Sequence, residues 1–358
     1  MKGYVLLESG EQFEGTWHGQ DPVNGEIVFF TGMTGYQEVV SDPSFKGQIV
    51  VFTYPMIGNY GVNERDFESE GPKVEGVILA EVEENPSHYS QVESFCMYLE
   101  KHGIPYMTQV DTRAIVKRIR KHGDMKATMT TDANQSVIEA EGLEHKDVVP
   151  FVSTKDRKVY NEGGIKHIVL IDYGYKQSIV NELVAKGMKV TVVPYETKKE
   201  TIDELKPDGL IFSNGPGNPK KLDSCLTTIH ELATTYPSLG ICLGHQLLAL
   251  AFGGETEKLT FGHRGANQPV LDYQTNRVYM TSQNHSYVVN EASIQKTDFD
   301  VRYMNVNDKS VEGLMHKHLP VMTVQFHPEA SPGPMDSNAI FDEFIQTVAL
   351  KERDHLYA

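Results

Sequence analysis

The sequence predicts an α/β protein in two parts: a C-terminal doubly wound, mostly parallel sheet carrying a nucleophile elbow, preceded by a β-rich α/β N-terminal domain. Three observations predict it. From Lys166 onward, apolar runs without polar alternation are separated by helix-length stretches, the pattern of parallel strands covered on both faces. One of those runs ends in Gly240-Ile241-Cys242-Leu243-Gly244, where a strand must turn sharply into a helix. Before residue 150, short β-type runs are instead broken by closely spaced glycines. A chain of 358 residues also exceeds one ordinary core, so two domains are expected: 1–150, a linker over 151–165, and 166–358.

In the first part, residues 4–7, 26–30 and 48–53 read as strands bounded by Gly, Asp and Pro. Residues 88–102 and 111–121 read as helices. The second opens on Asp111-Thr112 as a cap and sets Arg113, Lys117, Arg118 and Arg120 around Ala114, Ile115, Val116 and Ile119, which implies a solvated basic face. Residues 130–164 are polar and lack a sustained period, and Gly163-Gly164 closes the linker. Strands then fall at 167–171, 189–193 and 209–213, with helices at 177–186, 201–205 and 223–236 between them and before the elbow. Later runs at 277–280 and 320–326 supply further strands, and residues 338–349 the last helix.

Composition limits the function. Lys and Arg total 33 against 49 Asp and Glu, a net charge of −16, which argues against nucleic acid or an anionic membrane as the main partner. Cys96, Cys225 and Cys242 lie far apart without metal-ligand spacing, so neither a disulfide framework nor a metal site is expected. No apolar stretch is long enough to span a bilayer, and the N-terminal run is too short for a signal peptide; a cytoplasmic protein is expected.

Ligands of open α/β sheets bind beyond the carboxyl ends of the strands. Three features fall there: Asn214-Gly215-Pro216-Gly217 after the third strand, Cys242 after the fourth, and His327-Pro328-Glu329 after the run ending at Phe326. A lone cysteine beside Ile and Leu is most often a small buried hydrophobe. Flanking glycines and a downstream His-x-Glu point instead to a nucleophile, with His327 as its base and Glu329 holding the base's tautomer. A helix N-terminus beneath the sulfur favours thiolate over thiol. The N–H of Leu243 and the loop Gly215 to Gly217 are placed to donate to an oxyanion.

Together these residues resemble the class I glutamine amidotransferase family over about residues 166 to 350. The first part, through Thr31-Gly32-Met33-Thr34-Gly35-Tyr36-Gln37-Glu38, Asp42-Pro43-Ser44 and Tyr54-Pro55-Met56-Ile57-Gly58-Asn59-Tyr60-Gly61, resembles the N-terminal domain of the carbamoyl-phosphate synthetase small-subunit family. The resemblance implies that Cys242 attacks the side-chain amide of L-glutamine, giving a thioester and ammonia, with His327 as acid and base. It places Gly217 and Leu243 at the oxyanion and Ser44, Gly215, Gln246, Asn284, Ser286 and Tyr287 around the rest of glutamine. Many relatives carry Gly at Ser286 and Phe at Tyr287, and serine fits there if its φ is negative or its strain modest.

The chain shows no phosphate-cradling Gly-x-x-x-x-Gly-Lys-[Ser/Thr] loop. The resemblance therefore implies no cofactor in this chain and a large synthetase subunit as partner, using ATP and Mg and taking ammonia internally, with the first domain as substrate wall and docking surface. A stand-alone γ-glutamyl hydrolase or a non-catalytic pseudo-glutaminase remain the alternatives.

Overall fold

The computed structural model describes residues 1–137 and 142–356. In its first part seven strands close a barrel in the order Lys2–Leu7, Gln12–His18, Tyr106–Thr108, Gly76–Ile78, Gln48–Phe52, Val23–Phe30 and Met125–Thr130. The unbroken apolar run Ile27-Val28-Phe29-Phe30 has a simple cause: successive side chains enter two different cores. Ile27 and Phe29 meet Ile115 and Ile119 of the helix Thr112–His122. Val28 and Phe30 meet Phe95, Tyr98 and Leu99 of the helix Phe95–Lys101.

The Thr112–His122 helix begins where the sequence predicts, with the Asp111 carboxylate accepting from the Ala114 N–H at 2.9 Å. The helix expected over 88–102 is shorter, Phe95–Lys101. Ser94 caps it by accepting from Met97 N–H, and Glu93 is held in an antiparallel bridge with Val62, which keeps the preceding residues out of the helix.

The second part is a ten-stranded sheet. Lys189–Pro194, His167–Asp172, Gly209–Phe212, Ser238–Ile241 and Val321–Val324 run parallel in that spatial order. Alternation again serves two cores. Val169 and Ile171 pack with Ile229, Leu247 and Leu248 on one face, and Ile168 and Leu170 pack with Ile179, Leu183, Phe341 and Phe344 on the other. Each such fully buried apolar side chain contributes about 1.5–3 kcal/mol.

The sheet continues beyond Val321–Val324 as antiparallel strands in the order Val311–His316, Arg277–Val289, Thr256–Asp272 and Phe299–Asn305, the last also pairing with Val311–His316. The turns joining these strands are too short for parallel crossovers, which need a dozen or more residues. Within the segment read as linker, Lys158–Tyr160 forms an antiparallel edge strand on Lys189–Pro194. No described helix is long and apolar enough to cross a membrane.

Candidate active site

Ser238–Ile241 lies between Gly209–Phe212 and Val321–Val324, and Cys242 follows it at φ 53°, ψ −102° before the helix Leu243–Ala251. A positive φ is costly for a residue with a Cβ, so the surrounding contacts must over-determine it. They do: Cys242 N–H donates to Val324 O at 2.8 Å, and Gly244 N–H to Ser213 O at 3.0 Å. Both flanking glycines are required by close approach. A Cβ on Gly244 would stand 2.0 Å from the Phe212 carbonyl oxygen, and one on Gly240 2.7 Å from that of Gly244. The buried Cys242 Sγ donates to the Asn284 carbonyl at 3.6 Å and accepts from Gln325 Nε2 at 3.6 Å.

His327 leaves the neighbouring strand end, its N–H bonded to Ser282 O at 2.9 Å. Its Nδ1 meets Glu329 Oε1 at 2.6 Å, while the buried Nε2 has no nitrogen or oxygen partner among the described residues. Burial by itself would lower the imidazole pKa. The charge of Glu329 and its hydrogen bond to Nδ1, with the Cys242 side chain nearby, outweigh burial and raise it well above the ordinary value. For Glu329 burial acts upward, but the charges of Lys176 and His327 hold it below the usual carboxylate range.

Lys176 is fully enclosed at the turn after the strand His167–Asp172. Its Nζ lies 3.1 Å from Glu329 Oε1 and donates to Ala330 O at 2.7 Å. Burial opposes its charge, and Glu329, Glu68 and Asp42 more than restore it. Glu68 and Asp42 come from the first part of the chain, and Glu68 accepts from Ser178 N–H at 3.0 Å and Ser178 Oγ at 2.8 Å. The ionic environment of the His–Glu pair therefore crosses the two parts.

Glu38 belongs to the same neighbourhood. Burial first, then the charges of Asp66 and Glu68, push its carboxyl up to about 7, and its Oε2 has no hydrogen-bond partner among the described residues. A carboxyl with a raised folded-state pKa contributes stability that is present below its unfolded value and is lost as pH rises through about 7. Glu38→Gln is thus expected to raise the urea midpoint at pH 8, worth on the order of 2 kcal/mol with partial exposure counted, and to have little effect near pH 4.5. Urea titrations at the two pH values check this.

Ser44, Gly215, Gly217, Cys242, Gln246, Asn284, Ser286 and Tyr287 line one narrow cleft between the barrel and the sheet, with Leu143, Glu144 and Arg264. Leu243 follows the nucleophile as the first helical residue, where N–H groups lack intrahelical acceptors. Gly217 has φ 91°, which only glycine adopts without strain, and Gly215 allows no Cβ beside the Tyr173 carbonyl. Ser44 reaches the cleft on the short turn Pro43–Phe45, where Asp42 Oδ1 accepts from its N–H at 2.8 Å and Asn214 Nδ2 donates to its Oγ at 2.9 Å. Asn284 Nδ2 donates to Asp42 Oδ2 at 3.2 Å.

Ser286 lies within the strand Arg277–Val289 and has no positive φ. Its side chain is used: Oγ donates to Asp124 Oδ2 at 3.1 Å and accepts from Arg264 Nη2. The side chains of Arg264 and Asp124, both buried, pair at 3.0 Å. A serine hydroxyl here completes a clamp between the barrel and the sheet.

Sequence reasoning passed over Lys176, Asn214, Gln325 and Asp42 as site residues. Lys176 sits at a fourth carboxyl-end turn of the parallel strands, the one positional signal that could have found it. Among the described residues, His263, His285 and Glu312 bring possible metal-ligand atoms within 4.8 Å of one another. Those atoms are engaged in hydrogen bonds: His263 with Gln283 at 2.9 Å and Asp308 at 2.8 Å, and Glu312 with Gln283 at 2.9 Å. The cluster reads as a polar brace behind Asn284 and Ser286. Despite burial, bonds to Asp308 and Glu312 push His263 up to about 9.

Residues 169–347 match the family model for class-I glutamine amidotransferases, and residues 5–129 that for the carbamoyl-phosphate synthase small chain, CPSase domain. The chain is 58% identical over 360 residues to the carbamoyl phosphate synthase arginine-specific small chain of Halalkalibacterium halodurans, and 53% identical over 358 residues to that of Bacillus subtilis. Each alignment covers 100% of both chains. The carbamoyl phosphate synthase small chain of Staphylococcus saprophyticus is 46% identical over 97% of this chain and 96% of its own. With both parts matched in their chain order, and full-length relatives 53% and 58% identical, the chain belongs to the carbamoyl phosphate synthase small chain family.

Proposed function

We propose that the chain is the glutaminase subunit of a carbamoyl phosphate synthase, hydrolysing L-glutamine to glutamate and ammonia for a large synthetase chain. The observation that carries this is Cys242, held at positive φ on a strand-to-helix turn with its base, His327, on the adjacent strand end and Glu329 2.6 Å from that base.

In the reaction the Cys242 thiol passes its proton to His327 Nε2 as sulfur attacks the γ-carbonyl carbon of glutamine. The C–S bond forms, and the carbonyl oxygen takes the negative charge toward the N–H groups of Leu243 and Gly217. Collapse breaks the C–N bond, and His327 gives its proton to the leaving nitrogen, releasing ammonia. Water then loses a proton to His327 and attacks the thioester; the C–S bond breaks, its electron pair returns to sulfur, and sulfur takes the proton back from His327 as glutamate leaves. Glu329 holds Nδ1–H and stabilises the imidazolium at each stage, and Lys176 keeps Glu329 ionised. Ser44, Gly215, Gln246, Asn284, Ser286 and Tyr287 enclose the rest of the substrate.

A large chain using ATP and Mg completes the enzyme, with the first part as its docking surface. The arginine-specific names of two full-length relatives support assignment to arginine synthesis. A stand-alone hydrolase would leave the match of residues 5–129 without a purpose, and a pseudo-glutaminase would leave Cys242 and the His327–Glu329 pair without one. Acid quenching of the chain with radiolabelled glutamine is expected to trap label on protein, lost in Cys242→Ala. Label retained in that variant would overturn the reading.

A further inference from the structure

Gln325 takes no part in the mechanism above, yet it is fully buried against the reacting sulfur. It follows the strand Val321–Val324, is 0% exposed, and is fixed at its backbone by donation to Glu312 O at 2.8 Å. Its Nε2 lies 3.6 Å from Cys242 Sγ, and its Oε1 accepts from Gln246 Nε2 at 3.0 Å. Gln246 Nε2 also donates to the Tyr287 carbonyl at 2.7 Å.

The direction of these bonds is determined, although an amide can in principle sit either way round. A backbone carbonyl only accepts, so Gln246 must turn its NH2 toward Tyr287. The second hydrogen of that NH2 meets Gln325, which must therefore present its oxygen. The NH2 of Gln325 is left facing sulfur. A chain of three groups thus transmits a donor orientation from a backbone carbonyl to the nucleophile.

We propose that Gln325 is a further catalytic residue, an amide donor to the Cys242 sulfur whose orientation is set through Gln246 by the Tyr287 carbonyl. In the resting enzyme the thiol donates to Asn284 O. Once its proton moves to His327, sulfur can only accept, and the Gln325 N–H is already in contact to meet the charge. The same donor meets the electron pair that returns to sulfur when the thioester C–S bond breaks. Gln246, which lines the glutamine cleft, links substrate occupancy to this donor.

The inference rests on Cys242 as nucleophile, and the test separates the two. Gln325→Glu keeps the shape but turns an acceptor toward sulfur, and Gln325→Met removes the donor at similar volume. Both are assayed with the large chain, with ammonia-supported carbamoyl phosphate synthesis checking that the complex is intact. We expect glutamine-hydrolysis kcat to fall about 10- to 100-fold, the scale of a hydrogen bond to a charged group. KM should stay within about threefold, since the bond acts on the reacting sulfur rather than on bound substrate. The pH profile of Cys242 alkylation by iodoacetamide should move to higher pH, further in Gln325→Glu. Unchanged kcat and alkylation in Gln325→Met, or a raised KM with kcat intact, would overturn the role. If Cys242→Ser loses hydrolysis while the Gln325 variants keep it, this inference alone fails. If Cys242→Ser itself hydrolyses glutamine, the nucleophile reading fails first.

Discussion

Cys242→Ser is expected to lower glutamine-dependent carbamoyl phosphate synthesis about 10⁴-fold or more, while free ammonia still supports synthesis by the complex. The substitution changes one atom and leaves the elbow's backbone bonds to Val324 and Ser213 in place. A serine hydroxyl is far less acidic than a thiol, so His327 must remove a proton it cannot hold, and oxygen loses the intrinsic nucleophilicity of sulfur. His327→Asn should fall in the same range, because an amide cannot accept the proton at Nε2. The paired assays, glutamine against ammonium chloride, isolate the defect to this chain. Retained glutamine use in Cys242→Ser would remove the thioester from the mechanism.

Gly244→Ala is expected to cost about 1–3 kcal/mol of stability by overpacking and to reduce glutamine hydrolysis about 100-fold or more. The added carbon would lie 2.0 Å from the Phe212 oxygen and 2.6 Å from its carbonyl carbon, both backbone atoms of a central strand. Neither can swing aside as a side-chain tip could. The helix Leu243–Ala251 must therefore lift away, breaking the Gly244 N–H bond to Ser213 and moving Cys242 relative to His327. Gly163→Ala is the control: among the described residues, no atom beyond its chain neighbours lies within 4 Å of the Cβ it would add, so its urea midpoint and activity should match the parent. Equal behaviour of the two variants would mean that the elbow is not under the steric constraint its geometry implies.

The donor role of Gln325 and the pH dependence of Glu38 differ from these in kind. Both concern groups whose effects come from neighbours distant in sequence. Gln325 acts on a sulfur 83 residues away, and Glu38 is shifted by burial first and then by the charges of Asp66 and Glu68. Neither carries a local pattern of its own, because a lone Gln before an aromatic residue and a Glu in a short helix are ordinary sequence.

What the sequence determines by itself is local backbone demand. Glycines two residues either side of Cys242 mark a turn that tolerates no side chain, and the contacts at Gly240 and Gly244 show why. The apolar runs at 167–171 and 209–213 mark strands buried on both faces, and adjacent residues in them do enter opposite cores. The Asp111 cap and the His-x-Glu spacing are of the same kind, since their partners lie within three residues.

Only the tertiary structure decides which side chains complete the cleft and how their charges balance. Lys176 meets Glu329 across 153 positions, and Asn214 holds Ser44 across 170. The Arg264–Asp124–Ser286 clamp joins barrel to sheet, giving Ser286 a polar partner that its place in the sequence did not foreshadow. The antiparallel strands beyond Val321–Val324 and the shortened helix at Phe95–Lys101 were likewise set by pairing with distant strands and by the Val62–Glu93 bridge. The physical reason is common to all of these. Steric limits on φ, ψ and burial periodicity act within a few residues, whereas a buried charge or amide finds its partner only once the chain has closed.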